Sequence, residues 1–122
     1  MTLPMIDAHK QFHEVFNELY TLTIPMKIGF FEALQYNFTI ASRSIWSEDE
    51  PSDAEKVEAF KWLNELSHRI WIIQFELQRG EDIDSINRLY QNMKFYGEQS
   101  NLLRGQLVPT TLASIEKFRA GM

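Results

Sequence analysis

Apolar residues recur along this chain at three- and four-residue steps almost from end to end, which is the spacing of one face of an α-helix. The first run is Met5, Ala8, Phe12, Val15, Phe16, Leu19 and Leu22, and it predicts a helix over about residues 5–21. Pro25 has no backbone N–H and separates that helix from the next. A second helix is expected over about 24–45, with Thr23 as its cap and Pro25 in its first turn, where proline is tolerated. Its apolar set is Met26, Phe30, Ala33, Leu34, Phe38, Ile40, Ala41 and Ile45.

The stretch "PSDAEKVEAFKWLNELSHRIWIIQFELQRG" carries the strongest signals. Ser52 with Glu55 three residues later has capping-box spacing, in which the hydroxyl and the carboxylate each satisfy one orphan backbone N–H. Asp53 and Glu55 put negative charge at the positive end of the helix dipole. Arg79 and Gly80 supply a basic last turn and a residue suited to a left-handed cap. One helix over about 53–79 follows, roughly 40 Å long at 1.5 Å per residue. "HRIWIIQFEL" is its C-terminal third and not a strand, although its isoleucines favour β structure.

After Gly80, Asp82 or Asp84 can cap a fourth helix over about 84–104, with a stripe of Ile86, Leu89, Tyr90, Met93, Tyr96, Ser100 and Leu103. Gly97 inside it points to close packing, because glycine there costs about 1 kcal/mol relative to alanine. Gly105 is read as the end of that helix. Pro109 and Thr110 open a short fifth one, with Leu112, Ile115 and Phe118 facing inward. The expected fold is all-α: one domain over 1–122, an up-and-down four-helix bundle with a short C-terminal helix across one end.

The third helix carries more apolar surface than one core face needs. Around the direction of Leu63, one flank holds Ala59, Leu66, Ile70, Ile73 and Leu77, and the other holds Val57, Phe60, Trp71 and Phe75. Together they exceed the arc of about 100° typical of a surface helix. Neighbouring helices can cover that wide arc; Trp62 and Ile72 lie beyond it, and Ile72 is not expected to be covered. Trp62, Arg69, Ile72 and nearby Trp46 therefore form the candidate partner-binding patch, since tryptophan and arginine are enriched in binding hot spots. A two-fold homodimer is the commonest use of such a surface.

Composition narrows the function classes. The 122 residues hold 17 acidic and 12 basic side chains, a formal net charge of −5, with 44% hydrophobic residues and no cysteine. Disorder is disfavoured, and disulfides and thiolate metal sites are excluded. The bases are scattered singly, which argues against a nucleic-acid partner. No stretch approaches the roughly 18 apolar residues of a membrane span. "MTLPMIDAHK" does not read as a secretory signal, so a cytoplasmic location is expected. "NFT" at Asn37–Thr39 matches a glycosylation sequon and is taken as incidental.

Candidate chemistry is sparse. His9 and His13 lie one helical turn apart and could share a metal, but a third ligand is needed. His68 points about 140° away from its own helix's core direction. No Glu-x-x-His pattern of the di-metal bundles occurs. The acidic runs "SEDEPSDAE" and "EDID" lack the order of a calcium loop and read as charge at helix starts. No activated nucleophile and no phosphate loop is recognisable, and no cofactor is implied. The residues thus point to a non-enzymatic protein-binding module, of the kind a small acidic inhibitor, immunity-type or regulatory protein would be, whose partner is another protein or a second copy of itself in a homodimer. The alternative is a metal- or small-ligand-binding bundle using His9 and His13.

Overall fold

In a computed structural model, the backbone is described for residues 3–121 and the side chains for residues 10 and 12–121. Five helices follow one another: α1 (Leu3–Leu19), α2 (Ile24–Ser47), α3 (Asp53–Gln78), α4 (Ser85–Gln99) and α5 (Asn101–Ala120). There is no strand among the described residues.

The helix ends follow the local chemistry. Thr23 caps α2 by accepting the Met26 N–H at 3.4 Å. Ser52 accepts the Glu55 N–H at 3.2 Å while Glu55 accepts the Ser52 N–H at 3.4 Å, completing the capping box. Gly80, at φ +83°, closes α3. Its N–H reaches Leu77 O and the Glu81 N–H reaches Glu76 O, both at 2.9 Å. These two bonds make a Schellman motif, which favours glycine at the left-handed position.

The next junction differs from expectation. Asp84 occupies the N-cap of α4 in the left-handed region at φ 48° and makes no side-chain cap. Asp82 instead accepts from Ser85 Oγ at 2.5 Å and from the buried Lys27 ammonium at 2.6 Å. The carboxylate thus ties the start of α2 to the α3–α4 loop. These hydrogen bonds, that from Lys27 first, hold the Asp82 carboxyl below its ordinary value of 3.8.

The break between the last two helices falls at Ser100, not at Gly105. Ser100 is extended (φ −150°, ψ 127°), and its hydroxyl accepts the Leu103 N–H at 3.3 Å. A new helix starts there and runs for 20 residues through Gly105 and Pro109. Proline removes one intrahelical bond, that to the carbonyl of Gly105. The rest of α5 is held by its buried face. Thr111 and Ser114 return their hydroxyls to Leu107 O at 2.8 Å and Thr110 O at 2.7 Å, so neither is an unsatisfied core group.

Helices α2 to α5 alternate in direction. Trp46 meets Phe60 and Gln35 meets Ser67, so α2 and α3 are antiparallel. Trp62 lies by Tyr96 and Glu76 binds Arg88, which sets α4 against α3. Asn37 donates to Ser114 Oγ at 3.2 Å and Lys117 stands over the Tyr36 ring, which brings α5 back alongside α2. Gly97 lets α4 and α5 approach: a Cβ on it would stand 3.1 Å from Leu107 Cδ1. The helix α1 packs on α5 and α4, through Phe12 and Phe16 against Tyr90 and through the 2.5 Å ion pair of Glu18 with Arg119.

The core contains Phe30, Phe31, Leu34, Ile45, Leu63, Leu66, Ile70, Ile73, Leu77, Leu89 and Met93, all buried. Each fully buried aliphatic or aromatic side chain contributes about 1.5–3 kcal/mol. Among the described residues, no helix is long and apolar enough to cross a membrane.

Candidate interaction surface

The two flanks of α3 meet different surroundings. Ala59, Leu63, Leu66, Ile70, Ile73 and Leu77 are buried against the other helices. The opposite flank is expected to be covered and is not. Val57 is 57% exposed, Trp71 55% and Phe75 45%, while Phe60 is half-buried. Three steric facts explain the exposure. Helix α2 sits on α3 through Phe60, Ser67 and Lys56. Helix α4 lies on the other side through Trp62 and Glu76. Helix α3 also touches α5. Side chains about 80–120° round from Leu63 are left only partly covered.

The exposed side chains are ordered by one another. The Trp71 and Phe75 rings stack with centroids 5.7 Å apart and planes 18° from parallel. The Arg79 guanidinium stands 5.7 Å from the Phe75 centroid and pairs with Glu81 at 3.2 Å. The three form a ladder at four-residue steps, the spacing at which side chains on a helix are neighbours. Trp46, 44% exposed, extends the surface at the other end of α3, with its ring 6.1 Å from Phe60. Asp53 starts the same line and Asn64 and His68 occupy its middle, all three exposed.

The patch expected from the sequence is divided by the structure. Trp46 lies on the α2 side of α3. Trp62 is half-buried on the α4 side, 6.1 Å from the Tyr96 ring, with its indole N–H directed to Glu58 at 3.4 Å. Ile72 is half-buried, not fully outward, and with exposed Arg69 it lines a shallow cleft against Asn87, Arg88, Gln91 and Asn92 of α4. The reason is that α4 wraps farther round α3 than a simple helical wheel allows. Arg88 is fixed there by two hydrogen bonds to Glu76, which with the guanidinium charge lower the Glu76 pKa. Trp46 therefore does not join Trp62, Arg69 and Ile72 on one surface.

The sequence does hold the signal for the exposed stripe. Val57, Phe60, Asn64, His68, Trp71 and Phe75 form a second helical line, and two of its central members are polar. A line destined for the core would not place Asn64 and His68 at its middle without partners.

A second feature lies on the opposite side of the bundle. An open cleft of about 750 Å³ runs between α4 and α5 and reaches Phe12 of α1. Met93, Gly97, Leu107 and Leu112 form its apolar wall, and exposed Lys94, Glu98 and Arg104 rim it. Tyr90 also lines the cleft, and its hydroxyl is 3.3 Å from His13 Nε2. The side chain of His9 lies outside the described residues. Among the described residues, no three His, Asp or Glu side chains converge as a metal site.

Comparison with family models, with curated proteins and with solved structures finds no match for this chain.

Proposed function

We propose that this protein is a non-enzymatic protein-binding module that works by self-association, through the exposed aromatic line of α3. The observation that carries this reading is the Trp71–Phe75–Arg79 ladder, aromatic, ordered by its own contacts and about half exposed. Tryptophan and arginine supply large contact area at low entropic cost when already held in place. Size-exclusion chromatography with light scattering tests the reading. The protein should elute as a dimer, Trp71→Asp as a monomer, and Ile72→Asp still as a dimer. A wild-type monomer at every concentration, or a dimer unaffected by Trp71→Asp but split by Ile72→Asp, would overturn it.

The α4–α5 cleft favours a second reading, a small-ligand site for an apolar molecule with an anionic group. Its volume falls in the range of about 300–1,000 Å³ usual for ligand pockets. Lys94 and Arg104 stand at its rim with Glu98, and Gly105 lies in its lining. A Cβ on Gly105 meets nothing within 4 Å, so Gly105→Phe grows into open space and fills the cleft. Titration with anilinonaphthalene sulfonate should show one saturable site that Gly105→Phe abolishes. Equal binding by both proteins would remove this reading.

A further inference from the structure

We infer that the α4–α5 cleft takes a straight-chain carboxylic acid of about ten to twelve carbons, with its tail at the Phe12–Leu112 end and its carboxylate at the Arg104 end. This inference rests on the small-ligand reading above and adds the ligand's shape, length and orientation. The shape follows from the two walls, each of which contains a glycine: Gly97 on α4 and Gly105 on α5. Gly97 lets Leu107 lie against it, so that with Met93 the wall there is apolar and buried. At Gly105 an added Cβ meets nothing within 4 Å, so the α5 wall stands open. Along α4 the lining runs from Tyr90 to Asn101, about 16 Å at 1.5 Å per residue, and along α5 from Arg104 to Leu112, about 12 Å. An extended hydrocarbon with bonds of about 1.5 Å advances about 1.25 Å per carbon, which sets the chain length.

The cleft is graded in polarity along its length. Thr111 Oγ1 donates to Met93 Sδ at 3.9 Å and Leu107 lies against Gly97, so higher numbers on α4 lie beside lower numbers on α5. One end is lined by Tyr90, Leu112 and Phe12, and the Tyr90 hydroxyl there is 3.3 Å from His13 Nε2. The other end is lined by Glu98, Asn101 and Arg104. A ligand that is polar at one end only matches this grading. Charge then selects the head. The cations Lys94 and Arg104 stand against the single carboxylate of Glu98, a surplus of one positive charge. Among the described residues none of the three is in an ion pair. Arg104 donates to the neutral amide oxygen of Asn101. Its remaining N–H groups suit a carboxylate, which a planar guanidinium holds through two parallel hydrogen bonds. A cationic head would gain Glu98 but meet both cations.

Displacement of anilinonaphthalene sulfonate by decanoate, decanol and decyltrimethylammonium, each kept monomeric, tests the inference. Decanoate should compete about three- to ten-fold more tightly than the other two. From octanoate to tetradecanoate, affinity should rise about three- to four-fold per added carbon up to about twelve carbons and then level off. Arg104→Gln should weaken decanoate about three- to ten-fold and leave decanol unchanged. Equal competition by all three heads overturns the acid, and the cleft reading stands if Gly105→Phe still abolishes dye binding. Displacement by none of them overturns the inference. If the dye then binds wild type and Gly105→Phe equally, the cleft reading falls with it. Weakening of decanoate by Lys94→Gln and not by Arg104→Gln overturns the orientation. Affinity that climbs undiminished to tetradecanoate overturns the length.

Discussion

Leu66 and Trp71 sit five residues apart on the same helix, and their surroundings could hardly differ more. Leu66 is wholly buried in the bundle core, whereas Trp71 is 55% exposed and stacks on the Phe75 ring. Hydrophobicity does not separate them, since both flanks of α3 are rich in large apolar side chains. The number of neighbouring helices does. A bundle helix is covered over the arc that its neighbours reach, and apolar surface outside that arc is available for association. The comparison therefore predicts that one flank governs stability and the other governs oligomeric state.

The largest expected effect tests the buried flank. Leu66→Ala should lower unfolding free energy by about 2–5 kcal/mol in urea denaturation, through lost burial and the cavity left behind. A loss below about 0.5 kcal/mol, the scale of a surface substitution, would erase the distinction between the flanks.

A somewhat smaller effect is expected where the buried flank runs into the α3–α4 loop. Asp82→Ala leaves the buried Lys27 ammonium and the Ser85 hydroxyl without their acceptor, at a cost of about 1.5–3 kcal/mol. Acid should do the same. The carboxyl is held below 3.8 in the folded protein, so its contribution is present in full above that value. It is lost as pH falls below 3.8 and through the lowered folded pKa. Urea midpoints measured from pH 6 to pH 2 should show a steeper acid decline in wild type than in Asp82→Ala. Parallel declines would show that Asp82 has no such role.

Most of the fold was legible because helix ends are written locally. Ser52 with Glu55, Thr23 ahead of Pro25, and Arg79 followed by Gly80 each specify a terminus within four residues. The fourth boundary was not legible, because Ser100 resembles a stripe member and only the structure shows its hydroxyl turned to Leu103 N. Gly105 and Pro109, normally terminators, sit inside α5 because Thr110, Thr111 and Ser114 bury that helix on the core. The interaction surface was harder for a different reason. A helical wheel gives directions but not neighbours, so Ile72 points outward on it while α4 half covers the residue. Trp71 and Phe75 point toward coverage that no helix supplies.

Ile72 sharpens the comparison at an intermediate size. Its half-buried position against α4 means that Ile72→Asp should cost about 1 kcal/mol, between core and surface values. The dimer should persist. A loss as large as that of Leu66→Ala would place Ile72 in the core proper.

The smallest stability effect is expected on the exposed flank. Trp71→Ser should change unfolding free energy by no more than about 0.5 kcal/mol at protein concentrations below dissociation of the dimer. A larger loss in the monomer would mean that the ladder supports the fold itself.

Thermal unfolding followed across a hundred-fold range of protein concentration tests the central claim most directly, because only an associating protein gains stability by mass action. The wild-type Tm should rise by about 5 °C across that range. The Tm of the Trp71→Asp/Phe75→Asp variant should stay constant and equal the dilute wild-type value. A wild-type Tm that does not move, or a variant Tm that climbs in step with it, would contradict the assignment of this face of α3 to self-association.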